Sequence, residues 1–141
     1  MHRLQSEAEI EAIVNGFELC TTEKTEFKHQ DHLVVAVAYL NELTVPEAIE
    51  RMRLSLIRFI AHHQIDKRKY NETITVFWLE VLSEAIERMS DSLTLLEKCN
   101  RVIQEFPKVG LALDYYSKEL LYSDEARERF VRPDLKDWKG C

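Results

Sequence analysis

Glycine and proline are scarce in this chain, which has three of each among 141 residues. A β-sandwich needs many turns built on these two residues, so their scarcity argues against that class of fold. The length is that of one ordinary domain, long enough to bury a core without disulfide or metal cross-links. The composition therefore predicts a single all-α domain over residues 1–141.

Cysteine is scarce as well. Cys20, Cys99 and Cys141 are odd in number, far apart in the chain and without a C-x-x-C spacing. This pattern argues against a disulfide framework and against a thiolate zinc site. We expect ordinary thiols at these positions.

Long hydrophobic runs are missing. The longest, Leu33 to Leu40, is much shorter than the roughly 20 residues that a membrane-spanning helix needs. Met1 to Leu4 lead into charged residues rather than into the apolar segment of a signal peptide. We expect a cytoplasmic protein without a membrane partner.

Positive charge is in deficit, since the formal net charge is −6 at pH 7. Nucleic acids and anionic membrane surfaces attract basic proteins, so this chain is expected to bind neither. The basic run Lys67–Lys69 is short and typical of a solvated loop.

Helix-start signals recur along the chain, whereas strand signals do not. Ser6 with Glu9 and Thr44 with Glu47 have the spacing of capping boxes, and Asn71 is a good N-cap residue. The predicted helices run from Ser6 to about 16–20, over about 28–43, from Thr44 to about His63, over about 72–89, and from Ser92 to before Pro107.

The connections between the second, third and fourth predicted helices are short, which favours antiparallel neighbours. We therefore predict an up-and-down helical bundle over about residues 6–106. A C-terminal extension over about 107–141 is predicted to hold short helices at Leu111–Tyr116 and from Ser123 to Phe130, with regular structure ending at Pro133.

Two polar motifs stand at the starts of the second and fourth helices, and this topology brings both to one end of the bundle. At about 100° per residue, His29 lies on the inward stripe of its helix and His32 lies about 60° to one side. His63 lies on the inward stripe of the third helix. We therefore expect His29, His32, His63 and Glu72 to converge.

A ligand pocket at this end would include further polar and aromatic residues. The fifth helix should return to the same end and bring two tyrosines close as a wall or lid. The predicted pocket residues are His29, His32, Tyr70, Glu72, Thr73, Tyr115 and Tyr116.

Three interpretations of this pocket stay open. His29, His32, His63 and Glu72 are a suitable ligand set for a divalent metal such as zinc, iron or manganese. Alternatively, two helix N-termini with His29, His32 and Thr73 favour a small acidic ligand. In the third interpretation the histidines and Glu72 only hydrogen-bond one another, and a non-catalytic protein acts through an exposed homodimer or partner surface.

Catalytic motifs are missing from the sequence. It contains no HExxH, no paired Glu-x-x-His, no GxSxG elbow, no GxGxxG and no Walker-type phosphate loop. The sequence therefore leaves open whether the protein is an enzyme.

Three motifs carry a resemblance. They are F-x-H-x-x-H-L at Phe27–Leu33, Y-N-E-T-x-T at Tyr70–Thr75, and Y-Y-S-x-E-x-L followed by A-R-x-x-F-x-x-P-D between Tyr115 and Asp134. In this pattern the chain resembles a family of small, largely uncharacterised bacterial helical proteins, with Asn71 where that family is expected to have a histidine. The resemblance implies a helical domain and groups the three motifs, but it implies no reaction.

Overall fold

The computed structural model describes residues 2–138, and within that range the chain forms seven α-helices and no β-strand. This confirms the predicted all-α class. Two short 3-10 turns, at Lys67–Lys69 and Leu111–Asp114, lie between helices. The helices are α1 (Glu7–Glu18), α2 (His29–Glu42), α3 (Val45–His62), α4 (Glu72–Glu87), α5 (Leu95–Glu105), α6 (Lys118–Leu121) and α7 (Asp124–Glu128).

Side-chain caps set most helix starts. The hydroxyls of Ser6 and Thr44 and the amide oxygen of Asn71 each accept from the backbone N–H three residues later. The fifth helix begins later than predicted, because Thr94 rather than Ser92 forms the cap, with Glu97 completing a reciprocal capping box. α7 ends before the predicted Phe130, and α6 was not predicted.

α2 is the central helix of the bundle and packs against α1, α3, α4 and α5. Its apolar segment from Leu33 to Val37 is buried at every position, because neighbours surround it on all sides. α3, in contrast, buries a single stripe. Its members recur every three or four residues and are Ala48, Met52, Ser55 and Phe59.

The C-terminal extension packs on α4 through α7, and α6 packs on α7. A second hydrophobic cluster holds it there, formed by Phe77, Val81, Ala112, Tyr116 and Leu121. Within residues 2–138, none of the helices has the length and apolar content to cross a membrane.

Candidate functional site

His29 opens α2 and joins it to the end of α5. Its Nε2 lies 2.8 Å from the carbonyl oxygen of Phe106, and since a carbonyl only accepts, Nε2 donates in this contact. The imidazole also meets the edge of Trp78, with 5.2 Å between ring centroids. Asp31 accepts from the backbone N–H of Lys28 at 3.0 Å, so it belongs to the helix cap.

His32 lies against Phe17 and Phe27, which together with Phe59 form what we call the phenylalanine cluster. Its ring centroid is 4.5 Å from that of Phe27 and 6.5 Å from that of Phe17. Burial, and next a charge on nearby His29, lower the pKa of His32 to about 4. The imidazole of His32 is therefore neutral at pH 7.

His63 follows the last residue of α3 and meets the same cluster. Its ring centroid is 4.4 Å from that of Phe59, and Phe59 lies 5.4 Å from both Phe17 and Phe27. The Nε2 atom of His63 is buried and has no hydrogen-bond partner among residues 2–138. The phenylalanine cluster thus carries one neutral imidazole and one with an unpaired nitrogen.

Glu72 lies in different surroundings, in what we call the Arg53–Glu72–Tyr70 network. The guanidinium of Arg53 donates to both carboxylate oxygens of Glu72, at 2.9 and 2.6 Å. The hydroxyl of Tyr70 donates to the same carboxylate at 2.5 Å. These bonds, that of Arg53 foremost, lower the pKa of Glu72. Glu72 therefore accepts from arginine and tyrosine rather than from His29 or His32.

Thr73 and its neighbour Asn71 face the C-terminal extension. The Thr73 hydroxyl lies 2.8 Å from the Ala126 carbonyl and 3.0 Å from the Arg129 carbonyl, and it accepts from the Val131 N–H. The amide of Asn71 donates to the Leu121 carbonyl at 2.8 Å. These contacts hold the extension against the start of α4.

Tyr115 and Tyr116 belong to the packing of the extension. Tyr116 is fully buried and donates to the Val131 carbonyl at 2.6 Å, and burial raises the pKa of its hydroxyl. Tyr115 lines a cleft of about 220 Å³ between α4, the end of α5 and the extension, together with Phe106 and Trp138. Both tyrosines pack against Phe77 and Trp138.

The predicted metal ligands are not assembled as one set. Across the described part of the chain, no three His, Cys, Asp or Glu side chains form a group that could hold a metal ion. The physical reason is that His29 is engaged by Phe106 and Glu72 by Arg53. Binding of zinc, iron or manganese stays a prediction, and a site that uses all four predicted ligands would need His29 and Glu72 to exchange partners.

Sequence reasoning missed Arg53, the partner that defines the surroundings of Glu72. Arg53 lies about 100° around α3 from Met52, the nearest member of the inward stripe, so helical periodicity places it outside that stripe. Nothing local in the sequence therefore singles out Arg53. Arg53 gains meaning only once α3 and α4 are known to pack together.

The lowered pKa of His32 predicts an acid-sensitive fold. In the unfolded chain His32 has a pKa near 6.5. Between pH 6.5 and 4 His32 is therefore protonated in the unfolded state but not in the folded state, which lowers the stability of the fold. The wild type should lose stability between pH 7 and 5.5, and we expect this loss to be about 1 kcal/mol smaller in His32→Phe. Urea unfolding at the two pH values measures this.

His62→Gln is the matched control, because His62 is exposed beside His63 at the end of α3. It should retain the wild-type pH dependence. An unchanged pH dependence in His32→Phe would show that His32 is accessible to protons in the folded state.

Comparison with known proteins gives no match, since no family model, curated protein or solved structure is significantly similar to the chain.

Proposed function

We propose that the protein is a non-catalytic interaction module, in which the polar residues at the helix starts hold the fold together and an exposed surface carries the function. One observation supports this most strongly: most polar side chains of the predicted pocket bind groups of the protein itself. His29 binds Phe106, Glu72 binds Arg53 and Tyr70, and Thr73 and Tyr116 bind the extension. A ligand would have to displace these bonds.

The geometry of the bonds suits a structural role. A two-pronged arginine–carboxylate pair is directional, and the pair between Arg53 and Glu72 sets the register of α3 against α4. His29 and Phe106 do the same for α2 and α5. Polar groups engaged in this way satisfy one another and leave the exposed faces of the helices for association.

An exposed apolar surface supports the second half of the proposal. Leu54 and Ile57, on the outer face of α3, are 52% and 47% exposed, and a groove beside Leu54 is lined by Leu43 and Pro46. Neighbouring exposed apolar side chains of this kind are typical of interaction sites.

A second candidate function is favoured by the phenylalanine cluster. The unpaired Nε2 of His63 and the neutral imidazole of His32 are suitable ligands for zinc, iron or manganese, and His63 could donate to a small acidic ligand. In this candidate the site lies beside the cluster, without Glu72.

Ligand titrations separate the two candidates. Protein purified without an affinity tag is assayed for bound metal, and its thermal unfolding is followed with Zn²⁺, Mn²⁺, Fe²⁺ under anaerobic conditions, and succinate as a small acidic probe. We expect no stoichiometric metal and no saturable rise in Tm, since His29, Glu72 and Thr73 are already bonded within the protein.

The variants His32→Phe and His63→Phe, with His62→Gln as control, make the result specific. Stoichiometric metal, or a saturable stabilisation that His62→Gln retains and His32→Phe loses, would replace the interaction module with a binding protein.

A further inference from the structure

α3 carries an exposed apolar stripe that the bundle does not use. Pro46, Leu54, Ile57 and Ala61 are all exposed, and at about 100° per residue they fall within roughly 80° of one another around the helix. The buried residues of α3 occupy the other side. The stripe therefore faces away from the core along most of the helix.

The two halves of the stripe differ in shape. The first half forms a shallow groove of about 560 Å³, whose lining residues are Leu43, Pro46, Glu47, Glu50, Arg51 and Leu54. The second half carries the exposed side chain of Ile57. A hollow half and a half with an exposed isoleucine on one helix fit each other when two copies of the helix run in opposite directions.

Charge along the same face is also divided. Glu50 stands within the first half and Glu47 beside it, whereas Arg58 stands beside the second half and donates to the Glu18 carbonyl at 3.2 Å. The two cations near the first half are already paired, Arg51 with Glu18 at 3.1 Å and Arg53 with Glu50 and Glu72. The acidic half of one α3 is thus complementary to the basic half of another α3 that runs antiparallel to it.

We propose that a second copy of this chain docks antiparallel on the apolar stripe of α3, about a twofold axis at Leu54. This places Glu50 of each copy opposite Arg58 of the other, and places Ile57 of each copy over the groove of the other. Glu50 is 63% exposed although it also bonds Arg53, so it can accept from a second arginine. The inference rests on the proposed function and names its partner.

Sedimentation equilibrium from about 1 µM to about 1 mM tests the association. We expect a reversible dimer in the wild type. Leu54→Asp, which puts two carboxylates on the twofold axis, should weaken it at least about 30-fold. Leu135→Asp is the control, since Leu135 is a leucine of similar exposure, 58%, in the extension, and it should dimerise like the wild type.

A charge exchange tests the antiparallel arrangement. Glu50→Arg and Arg58→Glu should each weaken the dimer about tenfold, and the double variant should restore it, because each arginine again faces a carboxylate. Circular dichroism confirms that each variant is folded. A double variant as weak as the single ones would overturn the antiparallel pairing.

A covalent test reports on the axis itself. Leu54→Cys in a Cys141→Ser background should form an intermolecular disulfide on mild oxidation, because Cys20 and Cys99 are buried and the new thiols meet at the axis. A wild type that stays monomeric up to about 1 mM, or that binds only a different protein, overturns the dimer. Those outcomes leave the metal and succinate titrations unaffected, so the failure of this inference is distinguishable from the failure of the proposed function.

Discussion

Replacing Arg53 with methionine destabilises the protein by about 2–3 kcal/mol, because the carboxylate of Glu72 is then left enclosed without its cation. The Glu72 side chain is 11% exposed and that of Arg53 is 32% exposed. This partial exposure places the cost below that of a fully buried pair. Urea unfolding at pH 7 measures the loss.

A double variant tests whether Arg53 and Glu72 have a role in the fold beyond pairing with each other. Arg53→Met with Glu72→Leu removes both charges and replaces them with apolar groups, so we expect it to recover to within about 1 kcal/mol of the wild type. The helical circular dichroism should be unchanged. A double variant as unstable as Arg53→Met alone would show that Glu72 has a role in the fold beyond its pairing with Arg53.

The same pair gives a pH signature. Because the pKa of Glu72 is lower in the folded protein than in the unfolded chain, its contribution is complete above pH about 4.5. It is lost as the pH falls through the folded-state pKa. The double variant lacks this loss. The Glu72 contribution is lost at lower pH than the contribution that depends on His32, so the two effects separate on one pH series.

Local signals account for the parts of the fold that the sequence predicted. Thr44 with Glu47 starts α3, and Asn71 starts α4. Each prediction rests on residues within one or two turns of each other. The predicted start of the fifth helix at Ser92 was wrong for an equally local reason. Thr94, two residues later, forms a capping box with Glu97 and is the actual cap.

The surroundings of the site depend on contacts that no local signal encodes. Helical periodicity shows which face of α4 points inward, but it does not show that Arg53 of α3 reaches Glu72. The carbonyl that meets His29 belongs to Phe106, at the end of a helix distant in sequence. Periodicity placed His29 on the inward side of α2, but angles within one helix do not identify the partner from another helix.

The path of the extension was the least predictable feature. The extension bends through short helices, and the backbone carbonyls of Leu121 and Ala126 accept hydrogen bonds from the side chains of Asn71 and Thr73. Any residue type offers a carbonyl, so the sequence gives no sign of which one is used. Asn71 caps α4 with its oxygen, as predicted, and also binds the extension with its nitrogen, which was not predicted.

Thr73→Val should loosen the extension and cost about 2–3 kcal/mol. Valine has nearly the shape of threonine but cannot accept from the Val131 N–H or donate to the Ala126 carbonyl. The expected cost is that of leaving these partly buried groups unpaired. Hydrogen exchange should become faster at the Val131 amide. Exchange at amides in α2 should change only as much as the global stability changes.

Thr75→Val is the matched control for this change. Thr75 is also buried, but its hydroxyl bonds the Asn71 carbonyl at 3.0 Å and Tyr70, neither of which belongs to the extension. Its loss should cost at most about 1 kcal/mol and leave exchange at Val131 unchanged. Equal effects of the two variants would mean that the Thr73 hydroxyl does not hold the extension. The difference between them therefore measures how much the Thr73 hydroxyl contributes to holding the extension against α4.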